Sequence, residues 1–439
     1  MRILLVMPHS REKIKFPQLM YPALALQQVA GITPKNHSVK IIDERYERLN
    51  FNEECDIVGI YCLTYHANRV YQIADEFRRR GVTVVLGGDH PSALPEEAKQ
   101  HADAVVIGEA EETWPQLLDD FRNNRLKPFY RQNKPIDPRL IPPARREAGS
   151  NRPFIAGIEA SRGCPVGCEF CAVSNRPHGR LFRPRPIENV IDEIKSIKQK
   201  FLYFYNPTST ANPGYTKALF KEMIGLNKRF TCFGNVDVLA KDEELLRLAS
   251  EAGCMFWNVG FESISQETIK HMGKRTNVVE KYVKVVKKIH DYNMKILGNF
   301  IFGFDTDKPD VFDNTLERAY ELNLDLAQFA ILTPFPGTPL FERLEREGRI
   351  LTRDWSRYTE ADVVFQPKHI SPEELIEGTM RCIKEFYYAT NIFRRLLINK
   401  SISIIATLKM KYLDYNIYFK RKGLSKADYK IYLKNKRNI

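Results

Sequence analysis

The sequence predicts an α/β protein with two parallel sheets in succession: a doubly wound sheet, then a curved, barrel-like sheet, with a basic helical region after them. Three observations support this. Short β-branched apolar runs alternate with helix-like stretches over most of the chain. A Pro-rich segment interrupts that alternation once, and Lys and Arg are concentrated at the far end. We therefore expect four parts, with bounds 1–130, 131–150 (a linker), 151–345 and 346–439.

The first part contains five apolar runs that are continuous enough for strands buried on both faces of a sheet. Helix-like stretches such as 67–80 separate them. Five βα units in this order predict a doubly wound, flavodoxin-like sheet. The predicted strands are 2–7, 38–43, 56–61, 82–87 and 103–107.

The third part contains six further strand-like runs, most of them separated by helical pattern. Six βα units without a reversal predict a partial (β/α)6 barrel, and the loops that follow its strands would line one mouth. The predicted strands lie near 154–160, 201–206, 231–236, 256–261, 296–302 and 326–332.

The far end of the chain carries most of the net charge of +13: residues 391–439 hold thirteen Lys and Arg against Asp414 and Asp428. Within it, 391–426 places apolar residues at helical spacing among basic ones. Two interpretations stay open, a helix packed on the barrel and an interfacial helix on anionic lipid. Because no apolar run is long enough to span a bilayer and no export signal opens the chain, we expect a cytoplasmic protein. Under the second interpretation it would contact the inner face of the membrane peripherally.

Three of the eight cysteines lie within "EASRGCPVGCEFCAVS" (159–174), spaced C-x3-C-x2-C directly after the first strand of the barrel-like series. Structural zinc takes four N or S ligands, and here a fourth is missing, although incidental or zinc-binding cysteines stay an alternative. An iron–sulfur cluster is different, because three thiolates can hold three irons and leave a fourth iron open. The other cysteines are scattered, mostly in apolar runs, which indicates buried free thiols: Cys55, Cys62, Cys232, Cys254 and Cys382.

This C-x3-C-x-aromatic-C loop, after the first strand of a six-unit partial barrel, resembles the radical S-adenosylmethionine (SAM) superfamily. The resemblance implies that Cys164, Cys168 and Cys171 bind a [4Fe–4S] cluster whose open iron chelates SAM. It also implies that Phe170 packs near the adenine. In that superfamily an electron from the cluster cleaves SAM to a 5′-deoxyadenosyl radical.

Other segments resemble the same superfamily in order and spacing. They are "GRLFRPRPIENVIDEI" (179–194), "WNVGFESIS" (257–265), "GNFIFGF" (298–304) and "LTPFPGTPL" (332–340). The resemblance implies that a carboxylate of the second segment bonds the SAM ribose and that a glycine of the third lets adenine approach the backbone. The segment "FLYFYNPTST" (201–210) departs from the pattern, because it lacks an acidic pair near the SAM amino group. The implied SAM-binding residues are Phe170, Asn206, Thr208, Glu262, Ser263 and Gly303.

The loops after the strands of residues 1–130 resemble the cobalamin-binding domain that precedes many radical SAM barrels. The implied cobalamin-binding residues are Thr64, Gly87, Gly88, His90, Gly108 and Glu109. One element departs from other cobalamin proteins: the D-x-H-x-x-G histidine is absent, and its expected region, 43–56, has no histidine. We therefore expect that no histidine of 43–56 binds the cobalt.

These resemblances predict a cobalamin-dependent radical SAM enzyme that methylates an unactivated carbon of a small or lipid-like substrate, with an external electron donor. One alternative is a rearrangement or cyclisation enzyme whose first domain is vestigial or binds substrate. Another is a tRNA methylthiotransferase, which needs three cysteines in that domain where only Cys55 and Cys62 exist. A non-catalytic nucleic-acid-binding protein would leave the SAM motifs without a role, and no nucleic-acid motif or partner is expected.

Overall fold

The computed structural model describes residues 1–9, 22–149, 153–388 and 391. Within them the chain forms two six-stranded parallel sheets and one two-stranded hairpin. The predicted α/β fold, with a doubly wound sheet followed by a partial barrel, is confirmed. The basic stretch 391–426 lies, apart from its first residue, outside the described residues.

The first sheet has the strand order β2-β1-β3-β4-β5-β6, and its six strands are β1 Arg2–Met7, β2 Ser38–Asp43, β3 Ile57–Tyr61, β4 Thr83–Gly87, β5 Ala104–Ile107 and β6 Phe129–Arg131. Every residue of β5 is buried, as expected where helices cover both faces. Because β1 pairs with both β2 and β3, the order reverses there, and a crevice opens at the carboxyl ends of β1 and β3. The sequence did not predict β6, which is only three residues long.

The second sheet runs in chain order, so that each strand pairs with the next, and its strands are β7 Ile155–Ile158, β10 Phe201–Phe204, β11 Arg229–Gly234, β12 Cys254–Glu262, β13 Lys295–Phe302 and β14 Leu326–Ile331. All pairings are parallel, which is the architecture of a partial barrel. The hairpin β8 Ser161–Arg162 and β9 Arg183–Pro184 flanks the cysteine loop. That loop therefore lies at the carboxyl mouth of the barrel.

Helices connect the strands and cover the sheets. In chain order they are α1 Leu24–Ile32, α2 Ala67–Arg79, α3 Asp89–Ala93, α4 Pro95–Gln100, α5 Thr113–Arg122, α6 Ala172–Asn175, α7 Ile187–Ser196, α8 Pro213–Met223, α9 Val236–Leu239, α10 Glu243–Ala252, α11 Gln266–His271, α12 Tyr282–Asp291, α13 Val311–Glu321, α14 Pro339–Arg346 and α15 Pro372–Phe386. Short 3-10 turns occupy Thr64–His66, Pro138–Leu140, Arg146–Ala148, Val279–Lys281 and Trp355–Arg357.

The C-terminal region closes one side of the barrel. A capping box formed by Ser371 and Glu374 starts α15, and a proline occupies its first turn. The hydroxyl of Tyr387, just after α15, donates to the Ala327 carbonyl of β14 at 2.7 Å. Across residues 1–9, 22–149 and 153–388, none of the helices combines the length and apolarity that a membrane span requires.

Candidate active site

The cysteine loop is a tightly closed turn at the barrel mouth. Gly163 has φ +82°, and a Cβ there would lie 2.0 Å from the Leu181 carbonyl oxygen, so no other residue fits. The Cys164 amide donates to the Gly179 carbonyl at 2.8 Å. The loop therefore leaves β8 and returns to β9 along one defined path.

One asparagine fixes the turn between the second and third cysteines. Asn175 Nδ2 donates to the carbonyls of Cys168 and Cys171 at 2.9 and 2.8 Å. The Cys171 amide donates to the Cys168 carbonyl at 3.1 Å. These bonds hold the backbone that carries the thiols, which are all free.

The three thiols form the donor set that a cluster requires. Burial raises the pKa of Cys164, and burial raises that of Cys168 to about 12, so both stay neutral until a metal displaces their protons. In a [4Fe–4S] cluster each thiolate binds a different iron, and three thiolates leave the fourth iron open. Three free thiols on one loop fit that arrangement, and their role as cluster ligands stays a prediction.

The predicted ribose ligand, Glu262, stands at the end of β12 in a left-handed conformation, φ +64°. The pairing of β12 with β13 shifts register between Gly260 and Glu262. Asn277 Nδ2 donates to the carbonyls of Gly260 and Phe261 at 2.8 and 2.9 Å, and the Tyr282 hydroxyl donates to Phe261 at 2.9 Å. Surrounding hydrogen bonds thus impose a conformation that a non-glycine residue rarely adopts.

Lys274 is a site residue that no sequence motif identifies. Its Nζ pairs with the Glu262 carboxylate and donates to the Gly260 carbonyl at 2.8 Å. Both side chains of the pair are about one tenth accessible. Burial acts to lower the pKa of Lys274, but the charge of the paired Glu262 carboxylate opposes it and the net pKa is raised, so the ammonium keeps its charge.

The aromatic residue of the cysteine loop reaches the end of β13. Phe170 packs edge-to-face on Phe304, with ring centroids 6.1 Å apart. Gly303, at φ +107°, has no room for a Cβ, which would lie 2.9 Å from Leu375 and 3.3 Å from Phe365. The structure accounts for this glycine by packing against the C-terminal region, and its contact with adenine stays a prediction.

The remaining predicted SAM residues have partners in their own chain. Asn206 Oδ1 accepts from the amides of Ala160 and Ser161 at 2.8 and 3.1 Å, which ties β10 to the start of the cysteine loop. Thr208 Oγ1 bonds Thr210 Oγ1, and Ser263 Oγ accepts from the Ser265 amide. Their contacts with SAM stay predictions.

The glycines of the first domain also pack against their own chain. A Cβ at Gly88 would lie 2.6 Å from the Cys62 carbonyl, and one at Gly108 would lie 2.5 Å from Gln132 Oε1. Gly87 would meet only an ordinary contact, and Thr64 is buried at the start of the turn after β3. Packing within the chain therefore accounts for Gly88 and Gly108, and the contacts of Thr64, Gly87, Gly88 and Gly108 with cobalamin stay predictions.

His90 lies in α3, directly after β4. Its ring is fully buried, and Nε2 is 3.1 Å from the Tyr71 hydroxyl and 3.2 Å from Glu97 Oε1. Trp355 packs edge-on against it at 5.1 Å and donates to the same carboxylate oxygen. His90 is thus part of the junction with the C-terminal region, its Nδ1 has no hydrogen-bond partner among the described residues, and its contact with cobalamin stays a prediction.

Glu109 joins the two domains. Both of its carboxylate oxygens accept from Arg183 of β9, at 2.7 and 2.6 Å. Arg162 of β8 lies 3.4 Å from the same carboxylate and 2.7 Å from Glu111, and both arginines are almost fully buried. The carboxyl edges of the two sheets therefore face one another, which places the cysteine loop opposite the loops after β4 and β5.

Polar groups surround the crevice of the first sheet. His66 Nδ1 and the Tyr46 hydroxyl are buried, and neither has a hydrogen-bond partner among the described residues. Burial, with the neighbouring His9 and Arg45, lowers the pKa of His66 to about 3, so the ring is neutral. Unpartnered buried polar atoms fit a large amide-bearing ligand such as cobalamin.

Two histidines lie at this crevice in loops outside 43–56, the region where the D-x-H-x-x-G histidine would be expected. Residues 43–56 begin at the end of β2, whereas His9 follows β1 and His66 follows β3. That no histidine of 43–56 binds the cobalt stays a prediction, and it does not concern His9 or His66.

Glu360 is a further residue that the sequence did not identify. It has φ +62°, and its carbonyl accepts from the Ile331 amide at the end of β14, at 2.7 Å. Its side chain is exposed to solvent. Burial, with the charge of Glu360, raises the pKa of Tyr65 in the first domain.

Comparison with known proteins agrees with this geometry. Family models match three segments: "B12 binding domain" at 17–118, "Radical SAM superfamily" at 158–319 and "Domain of unknown function (DUF4070)" at 338–409. The fold is similar to that of OxsB, a cobalamin-dependent S-adenosylmethionine radical enzyme solved with aqua-cobalamin and S-adenosylmethionine bound. The TM-score is 0.68 at 15% identity, over 94% of this chain and 73% of that one. The fold and site thus define a two-domain radical SAM enzyme.

Curated relatives define the family further. The chain is 33% identical to the bacteriochlorophyllide d C-8(2)-methyltransferase of Chlorobaculum tepidum over 422 residues, covering 88% of this chain and 91% of the relative. It is 25% identical to the hopanoid C-2 methylase of Rhodopseudomonas palustris over 422 residues, covering 90% of this chain and 78% of the relative. The chain belongs to the cobalamin-dependent radical SAM methyltransferase family, whose cofactors are a [4Fe–4S] cluster, SAM and cobalamin.

Proposed function

We propose that this enzyme transfers a methyl group to an unactivated carbon of a small or lipid-like substrate held between its two domains. The observation that carries the proposal is the buried Arg183–Glu109 pair, because it fixes the cysteine loop opposite the crevice of the first sheet. In the proposal, residues 1–130 bind cobalamin, 131–150 link the domains, 151–345 form the radical SAM barrel, and 346–439 form a helical region with a basic tail.

When bound, the cluster would supply the electron for SAM cleavage, and cobalamin would supply the methyl carrier. The residues of this chain bind, orient and exclude water. Cys164, Cys168 and Cys171 are the proposed cluster ligands, and Glu262 is the proposed acceptor for the ribose hydroxyls. Phe170 and Phe304 form an apolar wall beside the cluster loop, which suits a planar adenine.

The facing edges of the two sheets suggest where the substrate lies. The Glu109–Arg183 pair joins the loop after β5 to the hairpin that flanks the cysteine loop. A substrate between these edges would lie between the two proposed cofactor sites. The names of the two relatives, which act on a bacteriochlorophyllide and a hopanoid, support a large and mostly apolar acceptor.

An external electron donor and a membrane contact complete the proposal. Reduction of the cluster requires an external donor, because each reductive cleavage of SAM consumes one electron that neither SAM nor the cysteine thiolates supply. The thirteen Lys and Arg of 391–439 would hold the enzyme on anionic lipid, each contributing about 1 kcal/mol near such a surface. The alternative, a helix packed on the barrel, predicts no lipid binding. Sedimentation with anionic and neutral liposomes at low and high salt, with and without 391–439, distinguishes them.

The methyl-transfer proposal is tested with SAM that carries a trideuterated methyl group. The reconstituted enzyme is incubated with a reductant and either bacteriochlorophyllide d or a hopanoid, the acceptor classes named for the relatives. We expect mass spectrometry to find the labelled methyl on carbon of one acceptor. SAM cleavage that yields 5′-deoxyadenosine but never S-adenosylhomocysteine, with no labelled acceptor, would instead favour rearrangement or cyclisation.

A further inference from the structure

The segment that carries Lys274 packs directly on the cysteine loop. The Glu169 amide, between the second and third cysteines, donates to the Met272 carbonyl at 3.2 Å. A Cβ on Gly273 would lie 4.0 Å from the Gly167 carbonyl. Lys274 thus enters the barrel mouth beside the loop, from the turn that follows α11.

The ammonium of Lys274 lies between two features of the site. On one side it holds the Glu262 carboxylate, which folds back so far that a Cβ on Gly260 would lie 2.1 Å from its oxygen and 2.6 Å from Lys274 Nζ. On the other side lies the cysteine loop, which the two residues before Lys274 contact directly: Met272 accepts from the Glu169 amide, and Gly273 lies beside Gly167. One buried cation therefore serves both the proposed ribose acceptor and the proposed cluster ligands.

The surroundings of Lys274 keep it in place. Lys274 as a whole residue is 8% accessible. Its main-chain carbonyl accepts from the Asn277 amide at 3.2 Å, and the Asn277 side chain donates to the backbone of β12. Burying an unpaired ammonium would be costly, and the ammonium of Lys274 is instead paired directly with a carboxylate.

We propose that Lys274 is a positioning residue for SAM: it orients Glu262 toward the ribose and supplies a fixed positive charge beside the cluster. The proposal rests on the proposed function only in the assignment of the cluster and SAM sites. A cation close to the cluster stabilises its reduced, more negative state, so it raises the reduction potential. An oriented carboxylate accepts the ribose hydroxyls without first having to reorganise.

The experiment compares Lys274→Met, Lys274→Gln and Lys274→Arg with the wild type after anaerobic cluster reconstitution. Lys228→Met is the matched control, because Lys228 likewise donates to the main chain, at the carbonyls of Ile197 and Gln199, but at the opposite end of the barrel. SAM binding is measured by equilibrium dialysis, and the cluster midpoint potential by redox titration followed by EPR. Neither measurement needs a methyl acceptor, so a failure of the proposed methyl transfer leaves both readouts intact.

We expect the Met and Gln variants to bind SAM about 10–100-fold more weakly, as is typical when an outer partner of a ligand is removed. Their midpoint potential should fall, whereas Lys274→Arg should keep a potential close to that of the wild type. Lys228→Met should leave both quantities unchanged. Wild-type SAM affinity and potential in an iron-loaded Met or Gln variant would overturn the proposal. If neither variant retains iron, Lys274 serves the fold alone and the proposal is also overturned.

Discussion

Replacing Glu109 with glutamine removes the carboxylate that joins the two domains. The substitution leaves Arg183 buried without its bidentate partner and Arg162 with one carboxylate fewer. The side chains of Arg183 and Glu109 are only 7% and 10% accessible, so solvent cannot replace the lost contact. Removing one partner of such a pair costs about 3–5 kcal/mol, and the remaining amide oxygen places the cost near the lower end.

For a domain of this size, about 3 kcal/mol corresponds to a fall in melting temperature of roughly 6–12 °C. Differential scanning calorimetry measures it, and limited proteolysis at 134–146 reports whether the linker becomes accessible. Asp137→Asn is the control, because Asp137 pairs with Arg139 on an exposed stretch, and its melting should be unchanged. A Glu109→Gln protein that melts within about 2 °C of the wild type would refute the claim that the Glu109–Arg183 pair holds the domains together.

The same pair predicts a pH dependence. Burial acts to raise the pKa of Glu109, but the hydrogen bonds of Arg183 and the charges of Arg162 and Arg183 outweigh it, and the net pKa is lowered. The stabilisation is therefore present above the unfolded value of about 4.3 and is lost as the pH falls through the lower folded value. Glu109→Gln should lack this loss in acid melting curves.

Three further predictions concern the barrel. Cys168→Ala should lose the iron and the absorbance of a reconstituted cluster, whereas Cys232→Ala, a buried thiol of β11, should keep both in iron and optical assays. Glu360→Gly should raise the melting temperature, because a left-handed non-glycine residue costs about 1–2 kcal/mol; an unchanged or lower value would show that Glu360 stabilises the fold. Burial raises the pKa of Asp307 to about 6, so the wild type should lose stability as the pH rises from about 4 to 6, and Asp307→Asn should not; parallel melting curves would contradict this.

The sequence predicted the elements of the fold because their patterns are local. Residues 104–107 are all apolar because β5 is buried on both faces, and that pattern needs no knowledge of its neighbours. By contrast β6, Phe129–Arg131, buries one residue of three and has no detectable period. It exists because its neighbour β5 offers a free edge.

In the candidate site, too, local sequence predicted some features and could not predict others. Cys164, Cys168 and Cys171 lie in one short loop, so their spacing alone suggested a cluster. The interaction of Lys274 with Glu262 depends on a turn between β12 and α12, and the pairing of Glu109 with Arg183 spans 74 residues. Such tertiary charge pairs leave no periodic trace, and this is why the sequence predicted neither the pairing of Glu109 with Arg183 nor Lys274.

The central claim is that one enzyme uses both cofactor domains to move a methyl group. The most direct test reconstitutes the full chain anaerobically with iron, sulfide and hydroxocobalamin, then supplies SAM, a reductant and bacteriochlorophyllide d or a hopanoid. The account predicts that 5′-deoxyadenosine and S-adenosylhomocysteine both form, and that Cys168→Ala forms no 5′-deoxyadenosine. Formation of 5′-deoxyadenosine by a protein that takes up no cobalamin and releases no S-adenosylhomocysteine would contradict it.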